Sequence, residues 1–501
     1  MNSAFQSNNC FKYALIILAT FLFLYQIYWV FNFPIWRDDA FFATVAKNLV
    51  NGNGFSAVFF DQDYKFHYGI SSGPSLILPA AAMIFIFGNH YWVPELTAVL
   101  MIWSLLIAIF IASKEVVGEK KWAFCFLTLL MMMLFSGDEE GIKLSLWVRL
   151  MGEIPAALLV ILAALIFSSK NLNNSKLASG GIILGLALMI KAIVAIAAGT
   201  ILIIVATRII FSKKPIIWIV IPAFCFVAPC FLFESIKIIV LGWKGYLELQ
   251  QQNSNFYRTN AFFERPLLLY SLLPILIHFR FAAITFLPSI IYVVYSSGRK
   301  NLNSPYFVAG IALLLASFLH VSWWIVYAIP DAYRHLSIGI FCYFAGIFLL
   351  ICKFEYKTQF QIFFVSIFIG SLIASCPDEI WKIFNNNSYL QEQKMIVEEM
   401  KSLQQQGVQL ISCGNNFELE YLLPSARNFK ECKNFLNNSP MSQKVMLIND
   451  FISSPEIIYP EVLYIASDDY FGAFVPIPNI ALERCQERYY LTEHFSMLWC
   501  H

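Results

Sequence analysis

Apolar runs recur along this chain from residue 11 to residue 375, and no other feature constrains its fold as strongly. Many of them reach the roughly 20 residues that a helix needs to span a bilayer. Only 13% of the residues are charged, which is about half the fraction found in a soluble protein. Because lipid offers the backbone no hydrogen bonds, such segments must be helical. The pattern predicts an α-helical polytopic membrane protein.

The short loops between these runs indicate how the chain is oriented. Lys and Arg accumulate in cytoplasmic loops, and five loops carry them, at residues 114–121, 170–176, 208–214, 299–300 and 353–357. If all five are cytoplasmic, about eleven crossings follow, and a cytoplasmic N-terminus leaves the C-terminal region outside the cell membrane. The predicted crossings are residues 11–31, 92–113, 121–136, 153–168, 178–190, 192–208, 215–240, 281–297, 305–329, 336–352 and 358–375.

Three apolar segments do not fit the simple pattern of full membrane crossings: two are short, and the first could be a signal peptide. The apolar stretches 75–87 and 266–277 are shorter than a full span. They either dip into the membrane without crossing, which is tolerated where protein or water covers the backbone, or pair with a misjudged crossing. The fold is therefore expected to have about 11 to 13 membrane segments. The first run is too long for the apolar core of a signal peptide and lacks a small-residue cleavage site, so we expect a retained helix.

The pattern changes after residue 375, which divides the chain into a membrane domain, 1–375, and a tail, 376–501. In the tail, QEQKMIVEEMKSLQQQ is typical of a helix, whereas GVQLIS, KVMLIND and EVLYIAS are typical of buried strands. A small extracytoplasmic α/β domain is expected. Outside the cytoplasm, Cys413–Cys432 or Cys485–Cys500 could form disulfides, although the sequence does not fix the pairing.

Ionisable residues collect at the predicted outer ends of the helices, where their cost at membrane depth usually indicates function. A carboxylate pair, Asp38 and Asp39, opens an amphipathic run within the first outer loop, residues 32–74. Carboxylates serve as general bases, and Lys and Arg hold phosphate. Together these types are suited to transferring a sugar from a lipid phosphate. The other candidates are His67, Tyr68, Glu153, Lys191, Tyr333, Arg334 and His335.

Several of these stretches resemble integral-membrane GT-C glycosyltransferases, the group of the aminoarabinose transferases and protein O-mannosyltransferases. WRDDAFFATVAKNLVNGNGF resembles their first outer loop, with an acidic pair and a helix over 40–50 that ends near Gly52 and Gly54. VRLMGEIP, GLALMIKA and DAYRHLSIG resemble, in order, a second acidic site, a segment closing on a phosphate-contacting Lys, and a late Tyr-Arg motif.

The resemblance implies a polyprenyl-phosphate sugar donor, an inverting transfer and a catalytic Asp38. It places Glu153 at the second acidic site, Lys191 on the lipid phosphate, and Tyr333 and Arg334 in the late Tyr-Arg motif. Because Arg matches phosphate geometry, Arg334 is itself a candidate contact to the phosphate or leaving group. His67, Tyr68, Tyr333 and His335 are candidate contacts to substrate, although His67 and Tyr68 could be ordinary loop residues. The acceptor, a glycan, lipid or protein, is left open. No feature demands a cofactor, although acidic residues on separate outer loops are of the type that binds a divalent cation. The chain would lie in a bacterial-like inner membrane, among membrane lipids.

Plainer interpretations compete with each role. Asp38 and Asp39 are favoured residues for the start of a helix, as is Glu153. Lys191 could reach towards the interface, and Arg334 and His335 could be interfacial anchors. A transporter or a flippase of lipid-linked sugar is the main alternative, but it predicts inverted repeats that the sequence lacks. A non-catalytic scaffold is a third. Nucleic acid is not expected as a partner, because the net charge is only +2 and no basic patch appears.

Overall fold

The computed structural model describes most helices of the membrane domain and parts of the tail. The predicted crossings 281–297 and 358–375, most of 121–136 and the short stretch 266–277 lie outside the described residues. The described residues are 2–32, 34–35, 37–59, 62–67, 69–118, 123, 126–127, 130, 149–261, 304–327, 333–351, 387–406, 409–412, 417–423, 429–431, 445–450, 463–464, 476–477, 487–490 and 495–500.

The first of two compact units comprises residues 1–30, 71–76 and 96–382 and is helical in its described part. Most of its helices follow the predicted crossings within a few residues, since long apolar segments leave little choice of structure. Two are longer than predicted: the first helix begins nine residues before residue 11, and the helix predicted over 215–240 continues to Ala261. They are α1 Asn2–Asn32, α4 Val93–Val117, α5 Glu153–Phe167, α6 Asn174–Ile190, α7 Ala195–Phe211, α8 Ile217–Ala261, α9 Pro305–Tyr327 and α10 Ser337–Ile351.

Four of the described segments are long and apolar enough to cross a membrane: Val93–Val117, Ala192–Phe211, Ile217–Asn255 and Pro305–Val326. Shorter apolar helices accompany them, among them Glu153–Phe167 and Asn174–Ile190. Helix α8 is interrupted at Gly242, whose φ of 69° is not helical. The chain is therefore a multi-pass membrane protein, as its hydropathy predicts.

Close helix packing in this unit depends on glycine. In α6, a Cβ built on Gly181 would lie 2.5 Å from the carbonyl oxygen of Pro222, and one on Gly185 would lie 2.5 Å from that of Phe226. Gly181 and Gly185 form a GxxxG pair, the spacing that lets membrane helices approach until their backbones touch. Helix α5 is buried along almost its whole length, so it forms the centre of the unit.

The second unit comprises residues 31–70, 77–95 and 383–501. Its first part contains α2 Arg37–Val50 and an antiparallel hairpin of β1 Ser56–Phe59 and β2 Gln62–Lys65. Most of α3, Pro74–Phe87, also belongs to it. The amphipathic helix predicted over 40–50 begins three residues earlier, so both Asp38 and Asp39 lie in its first turn.

The tail supplies the rest of the second unit. Its sheet has the order β4-β3-β5-β9-β8, with β3, β4 and β5 parallel and β9 antiparallel to β5. The predicted helix and the strands in GVQLIS and KVMLIND are present as α11, β3 and β5. Whether the tail is a domain of its own, with a boundary at residue 375, stays a prediction. The tail elements are α11 Asn387–Gln405, β3 Gln409–Ser412, α12 Phe417–Leu422, β4 Phe429–Glu431, β5 Val445–Asp450, β6 Leu463–Tyr464, β7 Pro476–Ile477, β8 Glu487–Tyr490 and β9 Phe495–Cys500.

Candidate functional site

Lys191 lies at a break between two helices of the first unit. Helix α6 ends at Ile190, Lys191 is extended with φ −143° and ψ 121°, and a short 3-10 helix, Ala192–Val194, leads into α7. The extended residue forms a β-bridge with Ser72, and the amide of Gly73 donates to the carbonyl of Ile190 at 3.2 Å. Backbone groups freed by the break are thus bonded, which makes a non-helical residue tolerable at membrane depth.

Glu153 begins helix α5 and is only 2% exposed. The preceding Gly152 has φ 88°, a left-handed conformation that favours glycine. A Cβ on Gly152 would lie 2.7 Å from Cγ2 of Ile190 and 3.5 Å from Cε of Lys191. The glycine therefore both turns the chain into the helix and lets Lys191 come close to Glu153.

Three basic side chains surround one oxygen of this carboxylate. Oε1 of Glu153 lies 3.4 Å from Nζ of Lys191, 3.4 Å from Nδ1 of His335 and 3.7 Å from Nε of Arg334. Lys191 is 4% exposed and its Nζ also lies 3.3 Å from Oγ of Ser71. We call Glu153, Lys191, Arg334 and His335 the ion cluster. The structure thus brings together residues that are up to 182 positions apart in the sequence.

The four side chains of the ion cluster comprise three basic groups and one acidic group. Lys191 and Arg334 carry two fixed positive charges against the one negative charge of Glu153, before His335 is counted. The separations of 3.4 to 3.7 Å are longer than the roughly 2.7–2.9 Å of direct charge-assisted hydrogen bonds. Arg334 is 36% exposed, whereas Glu153 is buried. Arg334 is therefore the member of the ion cluster that solvent reaches most easily.

Arg334 and His335 are carried by a 3-10 helix, Tyr333–Leu336, that two side chains hold in place. Nε2 of His320, on α9, lies 2.9 Å from the carbonyl oxygen of His335, and Oγ of Ser337 donates to the carbonyl of Arg334 at 2.6 Å. His320 is fully buried. Sequence analysis did not identify it, since a lone His on an apolar helix is usually a core residue; its position near DAYRH was the only signal.

Asp38 and Asp39 differ in accessibility although they are adjacent. Asp39 is completely buried and Asp38 is partly exposed. Both occupy the first turn of α2, where the helix dipole favours carboxylates. Of the two, Asp38 is therefore the more accessible to solvent.

Two of the other predicted substrate contacts, His67 and Tyr333, lie within the described residues. His67 lies after the hairpin, and its Nδ1 accepts a hydrogen bond from the amide of Gly69 at 3.0 Å. Burial lowers the pKa of His67 to about 4, so the ring is neutral at physiological pH. Tyr333 lies on the same 3-10 helix as Arg334. Tyr68 lies outside the described residues, as do Cys413, Cys432 and Cys485 of the predicted disulfides.

Among the residues that the structure describes, no group of three or more His, Cys, Asp or Glu side chains could hold a metal ion.

The fold is similar to solved structures of GT-C glycosyltransferases, which confirms the resemblance at the level of the fold. The crystal structure of ArnT from Cupriavidus metallidurans bound to undecaprenyl phosphate matches with a TM-score of 0.60 and 10% identity, covering 97% of each chain. The same protein in the apo state matches with a TM-score of 0.59 and 10% identity over 98% of each chain. At this identity the likeness establishes the fold and not the activity.

An apo oligosaccharyltransferase from Archaeoglobus fulgidus matches with a TM-score of only 0.47 and 10% identity, over 88% of this chain and 70% of that one. No protein-family model and no curated protein sequence matches the chain.

Proposed function

We propose that this protein is a membrane glycosyltransferase that moves a sugar from a polyprenyl-phosphate donor to an extracytoplasmic acceptor. The observation that carries the proposal is the ion cluster, which gathers a lysine, an arginine and a histidine around one buried carboxylate at the ends of membrane helices. A phosphate attached to a lipid tail resides at that depth. The similarity of the fold to ArnT supports the proposal, because ArnT was crystallised with undecaprenyl phosphate.

Lys191 and Arg334 are the proposed contacts to the donor phosphate. Arg offers a fork that matches phosphate oxygens, and Lys acts as a compact point charge. The burial of Lys191 strengthens its interaction with an anion, since little water screens it. Glu153, predicted as a second acidic site, is surrounded by three basic groups, which favours a role in orienting them over direct proton transfer.

Asp38 is the proposed general base. Its carboxylate takes the proton of the acceptor nucleophile while the nucleophile forms a bond to the anomeric carbon of the sugar. The bond from that carbon to the phosphate oxygen breaks on the opposite face, and its electron pair stays on the lipid phosphate. The configuration therefore inverts. Lys191 and Arg334 stabilise the charge that develops on the leaving phosphate, the interaction that most lowers such a barrier.

The remaining predictions complete the proposal. His67, Tyr68, Tyr333 and His335 contact the sugar or the acceptor, and Asp39 supports Asp38 within the same helical turn. The acceptor is a cell-envelope glycan, lipid or protein. The N-terminus is cytoplasmic, and the tail is an extracytoplasmic α/β domain.

The first experiment measures binding of undecaprenyl phosphate to purified protein in detergent. Lys191→Met is expected to weaken binding at least about 10-fold, because a charged hydrogen bond contributes ~1.5–3 kcal/mol. Lys170→Met is the matched control. Lys170 is exposed just beyond the other end of helix α5, so it should leave the dissociation constant unchanged. Equal effects of both variants would reject the phosphate site.

The second experiment follows release of lipid phosphate from labelled polyprenyl-phosphate sugars in the presence of envelope extracts as acceptor source. Asp38→Asn is expected to abolish release while donor binding persists. Release at the wild-type rate in this variant would remove Asp38 as the base. Binding without release for any sugar by the wild-type protein would favour a transporter or flippase of lipid-linked sugars.

A further inference from the structure

The tail is bonded to the last turn of helix α2 through Lys47. This residue is 1% exposed, and its Nζ donates to three carbonyl oxygens at the end of helix α12. The distances are 2.7 Å to Glu420, 3.2 Å to Tyr421 and 2.7 Å to Leu423. The last carbonyls of a helix have no partner within the helix, and a lysine there also interacts favourably with the helix dipole.

The tail also holds the chain just ahead of α2. The amide of Ile35 donates to Oε1 of Gln393 at 3.2 Å, and Nε2 of Gln393 donates to the carbonyl oxygen of Ile35 at 3.3 Å. Gln393 is 3% exposed and Ile35 is completely buried. One side chain thus satisfies both backbone groups of a residue three positions before Asp38, in the way that a neighbouring strand would.

These two contacts differ from ordinary packing because one lies before the carboxylate pair in the sequence and the other lies after it. Gln393 fixes the residues immediately before the first turn, and Lys47 fixes the last turn. Lys47 follows Asp39 by eight residues, or ~12 Å along the helix. Neither side chain is positioned to react itself. Each one restrains the direction in which α2 presents its first turn, and a helix of 14 residues transmits that restraint.

From these two contacts we infer that the tail positions the catalytic base: Gln393 and Lys47 hold α2 so that Asp38 meets the acceptor nucleophile. The inference rests on the proposed function, since it assigns Asp38 the role of base. The tail therefore contributes to turnover and not to donor binding. Removing either contact lowers kcat because a base displaced by about 1 Å loses much of its effect.

The experiment compares Gln393→Met with Gln406→Met in the full-length protein. Methionine keeps the length of glutamine and removes both hydrogen-bonding groups. Gln406 follows the same helix but is exposed, and its Nε2 donates to Oγ of nearby Ser402 at 3.2 Å. Two readouts are taken for each variant: kcat and KM for sugar transfer, and backbone amide exchange of residues 37–50. Lys47→Met and Lys47→Arg form a second pair, in which Arg restores the donors.

For Gln393→Met and Lys47→Met we expect faster exchange across α2 and a fall in kcat of at least about 10-fold, with unchanged KM for the donor. Gln406→Met should resemble the wild type, and Lys47→Arg should recover a large part of kcat. Unchanged exchange across α2 in both methionine variants would overturn the inference. So would faster exchange with unaltered kcat, since the contacts would then be structural only.

Failure of the proposed function can be distinguished from failure of this inference. If the wild-type protein transferred no sugar, the general-base role would fall, whereas the exchange measurement would still decide whether the tail orders α2. In that case, faster exchange in the Gln393 variant than in the Gln406 variant would show that the tail orders α2. The claim that this ordering serves catalysis would be rejected.

Discussion

At the scale of single residues, His320 illustrates how a buried side chain can act on a site it does not line. Its Nε2 lies 2.9 Å from the carbonyl oxygen of His335. His320→Phe keeps a flat aromatic ring but removes the hydrogen bond to that carbonyl, at a cost of ~1–3 kcal/mol. Part of this cost should appear as displacement of Arg334, so affinity for undecaprenyl phosphate should fall about 5- to 10-fold. Ser317→Ala, one turn earlier on the helix, is the control. A lower melting temperature with unchanged affinity would contradict the prediction.

His67 gives a prediction about pH. The pKa of its ring falls from 6.5 to about 4 on burial, so the folded protein binds fewer protons than the unfolded chain between these values. Stability therefore rises with pH across this window and is lost as the pH falls from 6.5 towards 4. The slope cannot exceed ~1.4 kcal/mol per pH unit. His67→Gln should flatten the fall in melting temperature between pH 7 and pH 4.5. Parallel curves for both proteins would show that His67 is not responsible.

At the scale of elements, the pairing of α6 with α8 depends on the absence of side chains at Gly181 and Gly185. Gly185→Ala would place Cβ 2.5 Å from the carbonyl oxygen of Phe226. Forcing the helices apart should cost ~1–3 kcal/mol. Gly199 in α7 is the matched control, because nothing lies within 4 Å of its Cβ position. Gly199→Ala should stabilise the helix by ~0.5–1 kcal/mol. Thermal unfolding in detergent should therefore shift in opposite directions, and equal shifts would contradict the argument.

The helices were predictable from the sequence because apolar segments of sufficient length have no alternative to helix in a bilayer. The same logic found Lys191, since a charge within a long apolar stretch needs a reason. The contacts that organise the site were not predictable. The β-bridge between Ser72 and Lys191 and the hydrogen bonds from Lys47 to α12 join distant parts of the chain. Neither leaves a periodic pattern, and Lys47 looked like the last-turn lysine of any amphipathic helix.

At the scale of the whole molecule, the remaining question is which face of the membrane each loop occupies. The proposed chemistry requires the turn after α2 and the turn between α7 and α8 to lie on opposite sides. Both turns are exposed, at Asn51 and Ser212 respectively, and Lys213 and Lys214 follow the second. Basic residues in a short loop favour the cytoplasm, so Ser212 should be cytoplasmic and Asn51 external.

Single cysteines at these positions test the orientation in intact cells. The chain has 11 native cysteines, which must first be replaced and the variant shown to retain binding of undecaprenyl phosphate. With a membrane-impermeant maleimide, Asn51→Cys should react directly and Ser212→Cys only after the cells are made permeable. The reverse pattern would place α2 and its carboxylates in the cytoplasm. The acceptor would then be a cytoplasmic molecule, and the charge rule would have failed for this chain.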